Sequence, residues 1–208
     1  MNDVIDAIDG EVVCLLASAP PVQCWVVGGA VRRAFRTEGP LKDVDLVVDN
    51  PDFELALAWL LERYGVFAPN RYGNPRFTFN TAATLDLWSP SRFFEGYSDV
   101  LSMFDRFDFT CNCVGISKDF QIISRFAALS DIRKGLLRPV AGAWTATSPK
   151  DVARLVGRAI NMILFKGYVP ERTPIFLRAL DDMAEDELTA EFGYTRVFAE
   201  EVLSRWRR

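Results

Sequence analysis

The stretch that decides how this chain is read is VVGGAVRRAFRTEGPLKDVDLVVDN, residues Val26 to Asn50. An apolar run ends in two adjacent glycines, a helix-like AVRRAF follows, and the loop EGPLKD leads into a second apolar run. That second run carries aspartates at positions 43 and 45. Successive side chains of a strand alternate faces, so Asp43 and Asp45 project to the same side. Two neighbouring carboxylates repel each other and lose hydration in an otherwise apolar strand, unless a cation lies between them. Hard oxygen ligands of this kind suit Mg2+, which takes one or two carboxylates plus substrate phosphates. Gly28 and Gly29, at a strand end that opens a helix, let the backbone approach an anion with helix amides aimed at it. Arg32, one turn into that helix, is within reach of the same phosphates. The plain alternative is a tight turn followed by two solvated aspartates. Glycines and aspartates together, in this order and at this separation, favour a metal-bound triphosphate.

The totals restrict what else the chain can be. Its 208 residues suit one ordinary domain, or a domain with a helical appendage. Half are hydrophobic and a quarter charged, the balance of a globular protein with a real core. No apolar run approaches the roughly 18 to 20 residues that span a bilayer, so no membrane association is expected. The acidic start MNDVIDAIDGEVV is unlike a basic signal peptide, and the cytoplasm is the expected location. Cys14, Cys24, Cys111 and Cys113 sit in apolar surroundings and read as reduced, buried thiols. The CNC spacing is not a usual zinc pair, and no histidine exists to complete one. The absence of histidine also removes imidazole bases and Ser-His or Cys-His nucleophile pairs, leaving carboxylates, lysines, arginines or a metal to do chemistry. A net charge of −4 argues against a broad nucleic-acid surface but leaves room for a local basic groove.

Along the chain, residues 3 to 17 have helical spacing that ends at the prolines of ASAPP. VQCWVV and VDLVV read as strands, and NPDFELALAWLLERYG as a helix with an Asn-Pro start and a glycine stop. VFAPN, RFTFNT and TLDLWS read as three short strands separated by turn residues, and FQIIS as another. FEGYSDVLSMFDRFDFTCNCVGI is ambiguous between loop, helix and strand. From about residue 126 the character becomes helical through SPKDVARLVGRAINMILFKGY, PERTPIFLRALDDMA and TAEFGYTRVFAEEVLSRW. The expectation is an α+β fold: a twisted mixed sheet flanked by helices over residues 1–125, then a short all-helical region over 126–208. Aromatics in WLLERYG and FKGY read as core. The SRWRR end, with Arg205, Trp206, Arg207 and Arg208, is either a nucleic-acid contact or a solvated terminus.

VGGAVRRAF…KDVDLVV resembles the head-domain signature of bacterial tRNA nucleotidyltransferases (CCA-adding enzymes) and bacterial poly(A) polymerases, within the DNA polymerase beta nucleotidyltransferase superfamily. The resemblance runs over roughly residues 22 to 168. LDLWS falls where that family carries a third metal-site carboxylate, here Asp86. RFDFTCN resembles its next motif, giving Arg106, Asp108 and Asn112. DIRKGLLRPV looks like the segment that closes the head, and SPKDVARLVGRAINMILFKGY like the first neck helix, which reads the base with Asp151 and Arg154. The sequence departs from the family at Arg33, where an acidic residue is usual, at Phe107 and Lys150, and at Gly157, where a neck arginine is common although Arg158 follows. The chain also lacks the length of the body and tail with which full-length members grip tRNA.

The resemblance implies a head bearing nucleotidyl-transfer chemistry, which rests on positioning and charge neutralisation more than on covalent work by the protein. It implies two Mg2+ ions, about 3.5–4 Å apart in sites of this type, bridged by Asp43 and Asp45, with Asp86 holding the one beneath the attacking hydroxyl. Gly28, Gly29 and Arg32, helped by Lys42, would hold the β- and γ-phosphates. Arg106, Asp108 and Asn112 would shape the sugar pocket, and Asp151 and Arg154 the base site, with Arg158 a further nucleotide-binding residue. The expected partners are an NTP, with CTP or ATP favoured, and an acceptor hydroxyl at an RNA 3′ end such as that of tRNA. A protein or small-molecule acceptor, or a non-catalytic nucleotide-binding module, stands as the alternative. Oligomeric state is left open.

Overall fold

A computed structural model describes residues 7–93, 96–97, 99–145, 148–171 and 173–206. The chain divides into two compact units, one comprising residues up to Phe104 plus Asn112–Leu129, the other Asp105–Cys111 and Ser130 onward.

In the first unit, strand β2 (Asp43–Val48) runs through the middle of a seven-stranded sheet. The others are β1 (Cys24–Val27), β3 (Ala68–Pro69), β4 (Pro75–Thr78), β5 (Thr84–Trp88), β6 (Val114–Ser117) and β7 (Ile122–Ser124). Their order across the sheet is β3-β4-β5-β2-β1-β6-β7. The β2–β5 pair is parallel and the remaining neighbours are antiparallel, so the sheet is mixed. Val44, Leu46, Val47 and Val48 have no exposed surface, which is why β2 reads as a nearly continuous apolar run after its aspartates. The helix Phe53–Tyr64 follows a 3-10 turn that places Pro51 near its start, and stops at Gly65, whose φ of 77° no β-branched residue would accept. It buries Phe53, Ala56 and Leu60, spaced for one helical face. Burying Phe53 and Leu60 stabilises the unit by about 1.5–3 kcal/mol each.

Within the described residues, the helix expected over residues 3 to 17 is found from Gly10 onward. It spans Gly10–Ala17, because the Asp9 side chain accepts from the Glu11 amide and so caps it there, while residues 1–6 lie outside the described part. The thiols differ from expectation at one position. Cys24, Cys111 and Cys113 are buried, but Cys14 lies on the exposed face of Gly10–Ala17, immediately before the buried Leu15 and Leu16. Burial pushes the Cys24 thiol up to about 11, which keeps it protonated and inert.

The second unit is helical: Ala141–Trp144, Pro149–Lys166, Thr173–Asp182, Glu185–Phe192 and Arg196–Ser204. A two-residue parallel pair, Leu136–Leu137 with Val169–Pro170, accompanies them. Its longest helix, Pro149–Lys166, is capped by Ser148, whose side chain accepts from the Asp151 amide, and ends at left-handed Gly167. Val152, Val156, Ala159, Ile160 and Ile163 form its buried stripe.

Candidate active site

The register of the sheet brings the strand carboxylates together. Asp45 on β2 is paired directly with Asp86 on β5, and Asp43 with Thr84. Partners in register share a face, and Asp43 lies two residues from Asp45, so all three carboxylates stand on one side of adjacent strands. The same row continues on β4, where Arg76 is paired with Asp86. Asp86 is 4% exposed, and both of its oxygens are engaged. Arg76 Nε donates to Oδ1 and Arg76 Nη2 to Oδ2, each at 2.7 Å, and Asn70 Nδ2 donates to Oδ2 at 2.9 Å. The hydrogen bonds it donates to Asp86 hold the Arg76 guanidinium above its ordinary pKa against partial desolvation, and the charges of Asp86, Asp43 and Asp45 add to this. Asp45 accepts from the Trp88 indole at 3.0 Å and Asp43 from the Thr84 hydroxyl at 2.9 Å. Asp43 is exposed, Asp45 partly so.

The glycine turn stands beside this row. Gly28 has φ 67° and ψ −127°, a conformation that favours glycine, and a Cβ placed there would lie 3.7 Å from Asp45 Oδ2. Its own amide donates to the Val114 carbonyl. The helix it opens, Gly29–Arg32, is only four residues long, so it offers first-turn amides without intrahelical partners rather than a sizeable dipole. Arg32 is 3% exposed. Its Nε and Nη2 form a bidentate pair with Glu38 at 2.9 and 3.0 Å, and its Nη1 donates to Asn112 Oδ1. Arg32 and Asn112, from two separate motifs, therefore meet, and Arg32 braces the turn from inside. Lys42 is exposed, and its carbonyl accepts from the Thr84 amide.

The remaining sequence candidates belong to the second unit. Asp108 Oδ2 faces Arg158 Nη1 at 3.3 Å, and the Asp108 carbonyl accepts from the Trp144 indole. Arg106 is exposed and reaches the Gly142 carbonyl at 3.5 Å. Asp151 is drawn into the helix cap, accepting from the Ser148 hydroxyl at 2.6 Å. Arg154 faces Glu191 at 2.9 Å, Glu187 at 3.2 Å and Asp151 at 3.7 Å, while Lys150 also pairs with Glu187. Gly157 has a packing reason: a Cβ there would lie 2.3 Å from the Phe192 ring, so no arginine stem fits while Phe192 stays in place. Arg207 and Arg208 lie outside the described residues.

No protein-family model matches this chain, and no curated protein matches it in sequence. Solved structures do match. The Thermotoga maritima CCA-adding enzyme complexed with tRNA aligns at a TM-score of 0.69 and 17% identity, covering 100% of this chain and 50% of that one. A tRNA nucleotidyltransferase complexed with a primer tRNA and an incoming ATP analog aligns at 0.68 and 20%, covering 94% of this chain and 60% of that one. A CCA-adding enzyme with CTP aligns at 0.69 and 15%, covering 99% and 54%. The fold is that of a nucleotidyltransferase head. The chain spans about half the length of these structures.

Several residues that shape this site carry no motif signal. Arg76 was legible only as part of a strand, and Glu38 only as part of a loop. Asn70 orders its own turn, accepting from the Tyr72 and Asn74 amides while donating to Asp86. As a cation site, the head supplies the right donor chemistry: Asp43 and Asp45 offer hard carboxylate oxygens on one face. Asp86 fits as a third ligand only when Arg76 lets go of it. Among the described residues, no three acidic, cysteine or histidine side chains converge as a ready-made metal cluster.

Proposed function

We propose that this chain transfers a nucleoside monophosphate from an NTP to an acceptor hydroxyl, releasing pyrophosphate, with an RNA 3′ end such as that of tRNA as the acceptor. The observation that carries this reading is the direct pairing of Asp45 with Asp86 on the parallel strands β2 and β5, with Asp43 two residues along the same face. The fold supports it, and so does the bound content of the similar structures, which hold tRNA, CTP or an ATP analog.

In this reading Asp43 and Asp45 hold Mg2+, with Asp86 contributing to a second ion. Bound there, Mg2+ would neutralise phosphate charge and acidify the attacking hydroxyl. The acceptor oxygen forms its bond to the α-phosphorus as the bond to the α–β bridging oxygen breaks, pyrophosphate leaves, and the hydroxyl proton passes to solvent. The protein contributes placement. The Gly28–Gly29 turn, lacking side chains, brings backbone amides up to the phosphates. The buried Arg32–Glu38 pair, tied to Asn112, keeps that turn rigid beside Asp45.

CMP or AMP is the favoured group, with Asp151 and Arg154 reading the base as acceptor and donor on one helical face. Arg154→Ala should then weaken the preference for CTP and ATP over UTP and GTP more than it weakens triphosphate binding; equal affinities for all four NTPs in the parent protein would remove this part. The main test is incubation with each labelled NTP, Mg2+ and total cellular RNA, followed by gel separation. Label at RNA 3′ ends is the expected result. Label on protein or a small molecule would move the acceptor, and no product with any NTP would overturn the proposal. The saturated Asp86 carboxylate is the observation that favours a second reading, a nucleotide-binding module without turnover, and absence of product together with NTP binding would establish it.

A further inference from the structure

In an all-carboxylate cation site, every ligand waits for the ion. Here one of the three, Asp86, already has a cation beside it. Asp86 is buried and receives three donors, two from Arg76 and one from Asn70. The fork geometry, two parallel bonds of 2.7 Å, is the strong form of an arginine–carboxylate pair. Arg76 itself is held less firmly by its surroundings, with 42% of its side chain exposed against 6% for that of Asp86. If the pair opens, the guanidinium returns to water at little cost, whereas the carboxylate is left buried and uncompensated beside Asp45. Opening is therefore favourable only when another cation takes the vacated position.

We infer that Arg76 is the resident counter-cation of the Asp86 carboxylate, so that the first divalent cation binds at Asp43 and Asp45 and a second binds only as Arg76 is displaced. This rests on the reading of Asp43, Asp45 and Asp86 as the cation-holding set. Arg76 is a positioning residue: it acts through Asp86 and sets how readily that carboxylate is given up. The register makes this arrangement intrinsic to the sheet, since Arg76 and Asp86 are directly paired across β4 and β5. The Asn70–Asn74 turn that leads into β4 is fastened to the same carboxylate through Asn70, so release of Arg76 leaves Asp86 one donor and its orientation.

The test is titration of the whole chain with Mn2+, without nucleotide, followed by calorimetry and by the loss of free-ion signal in electron paramagnetic resonance. The parent protein should take one ion well and a second weakly. Arg76→Gln should bind the second about tenfold more tightly, a factor worth about 1.4 kcal/mol. Arg76→Lys, which keeps the charge and loses the fork, should fall between and guards against a folding defect in the glutamine variant. Thermal melting supplies a separate readout: Arg76→Gln should melt lower without metal and recover with Mn2+ by more than the parent gains. A merely structural Arg76 would lower the melting temperature and leave the affinities alone, which would overturn the inference while the parent's Mn2+ binding, abolished by Asp45→Asn, upheld the cation site. No Mn2+ binding by the parent or by either Arg76 variant would overturn both.

Discussion

The strand pair Asp43–Asp45 and the helix pair Asp151–Arg154 look alike in sequence, each a short-spaced couple of charged residues in an apolar run, yet the fold treats them in opposite ways. The helix pair is of unlike charge, and its neighbours Lys150, Glu187 and Glu191 complete a mutually paired surface cluster. The strand pair is of like charge and is set beside a third carboxylate, Asp86, with Arg76 the cation that the sheet register pairs with that row. Unlike charges on a helix bring their counter-ions along; like charges on a strand must obtain theirs from elsewhere. That difference leaves the strand group dependent on an added cation in the proposed reading, whereas the helix pair holds its own geometry whether or not a base lies against it.

Breaking the strand group should have the largest effect. Asp45→Asn is expected to lower NMP transfer by more than about 10²-fold, with circular dichroism unchanged, because it removes the carboxylate central to the cation set. Full activity in a well-folded variant would dissolve the distinction. The helix side is probed through its packing. Gly157→Ala should destabilise the second unit by about 1–3 kcal/mol, since the new methyl collides with Phe192, and adding Phe192→Ala should recover much of the loss in denaturant melts. Arg154→Ala should cost about 1–2 kcal/mol by the same measurement, as the partly buried guanidinium serves Glu187 and Glu191. Unchanged stability would show that these ion pairs do not hold the helices together.

The smallest effect sharpens the electrostatic side. Burial, helped by the charges of Asp99 and Asp52, pushes the Asp49 carboxyl up to about 6 from 3.8. A raised carboxyl favours the protonated form in the fold, so this group costs stability above pH 6 and the loss is recovered as pH falls from about 6 towards 4. Asp49→Asn should therefore melt higher than the parent at pH 8, by about 1 kcal/mol or 2–4 °C after allowing for solvent screening, and equally at pH 4. The Asp49 side chain makes no capping bond that the amide would forfeit.

The strand group was legible in the sequence because its signals are local. A glycine pair, two aspartates on alternate positions and a third in TLDLW each interrupt an apolar run, and the sheet places them in one row. Arg76 was not legible as a partner of Asp86, since that pairing depends on the β4–β5 register, which the turn after Thr78 decides; a cation at an exposed position of an alternating strand was the one available hint. Glu38, embedded in a loop of glycine and proline, carried no periodicity at all, though it neutralises Arg32 in the interior. The exposure of Cys14 was missed because its apolar neighbours in sequence occupy the opposite side of a helix.

The parallel pairing of β2 with β5 has a consequence for how the molecule comes into being. Parallel neighbours cannot be joined by a tight turn, and here the connection runs through residues 49–83, including a helix and the strands β3 and β4. Closing so long a loop must precede the contacts that reward it, which delays the step relative to local hairpins. Asp45 and Asp86 thus become neighbours only after that whole segment has found its place. A chain emerging from synthesis has its first two aspartates long before the third joins them. In the cation-holding reading proposed above, the position that needs Asp86 is therefore completed only when the sheet closes.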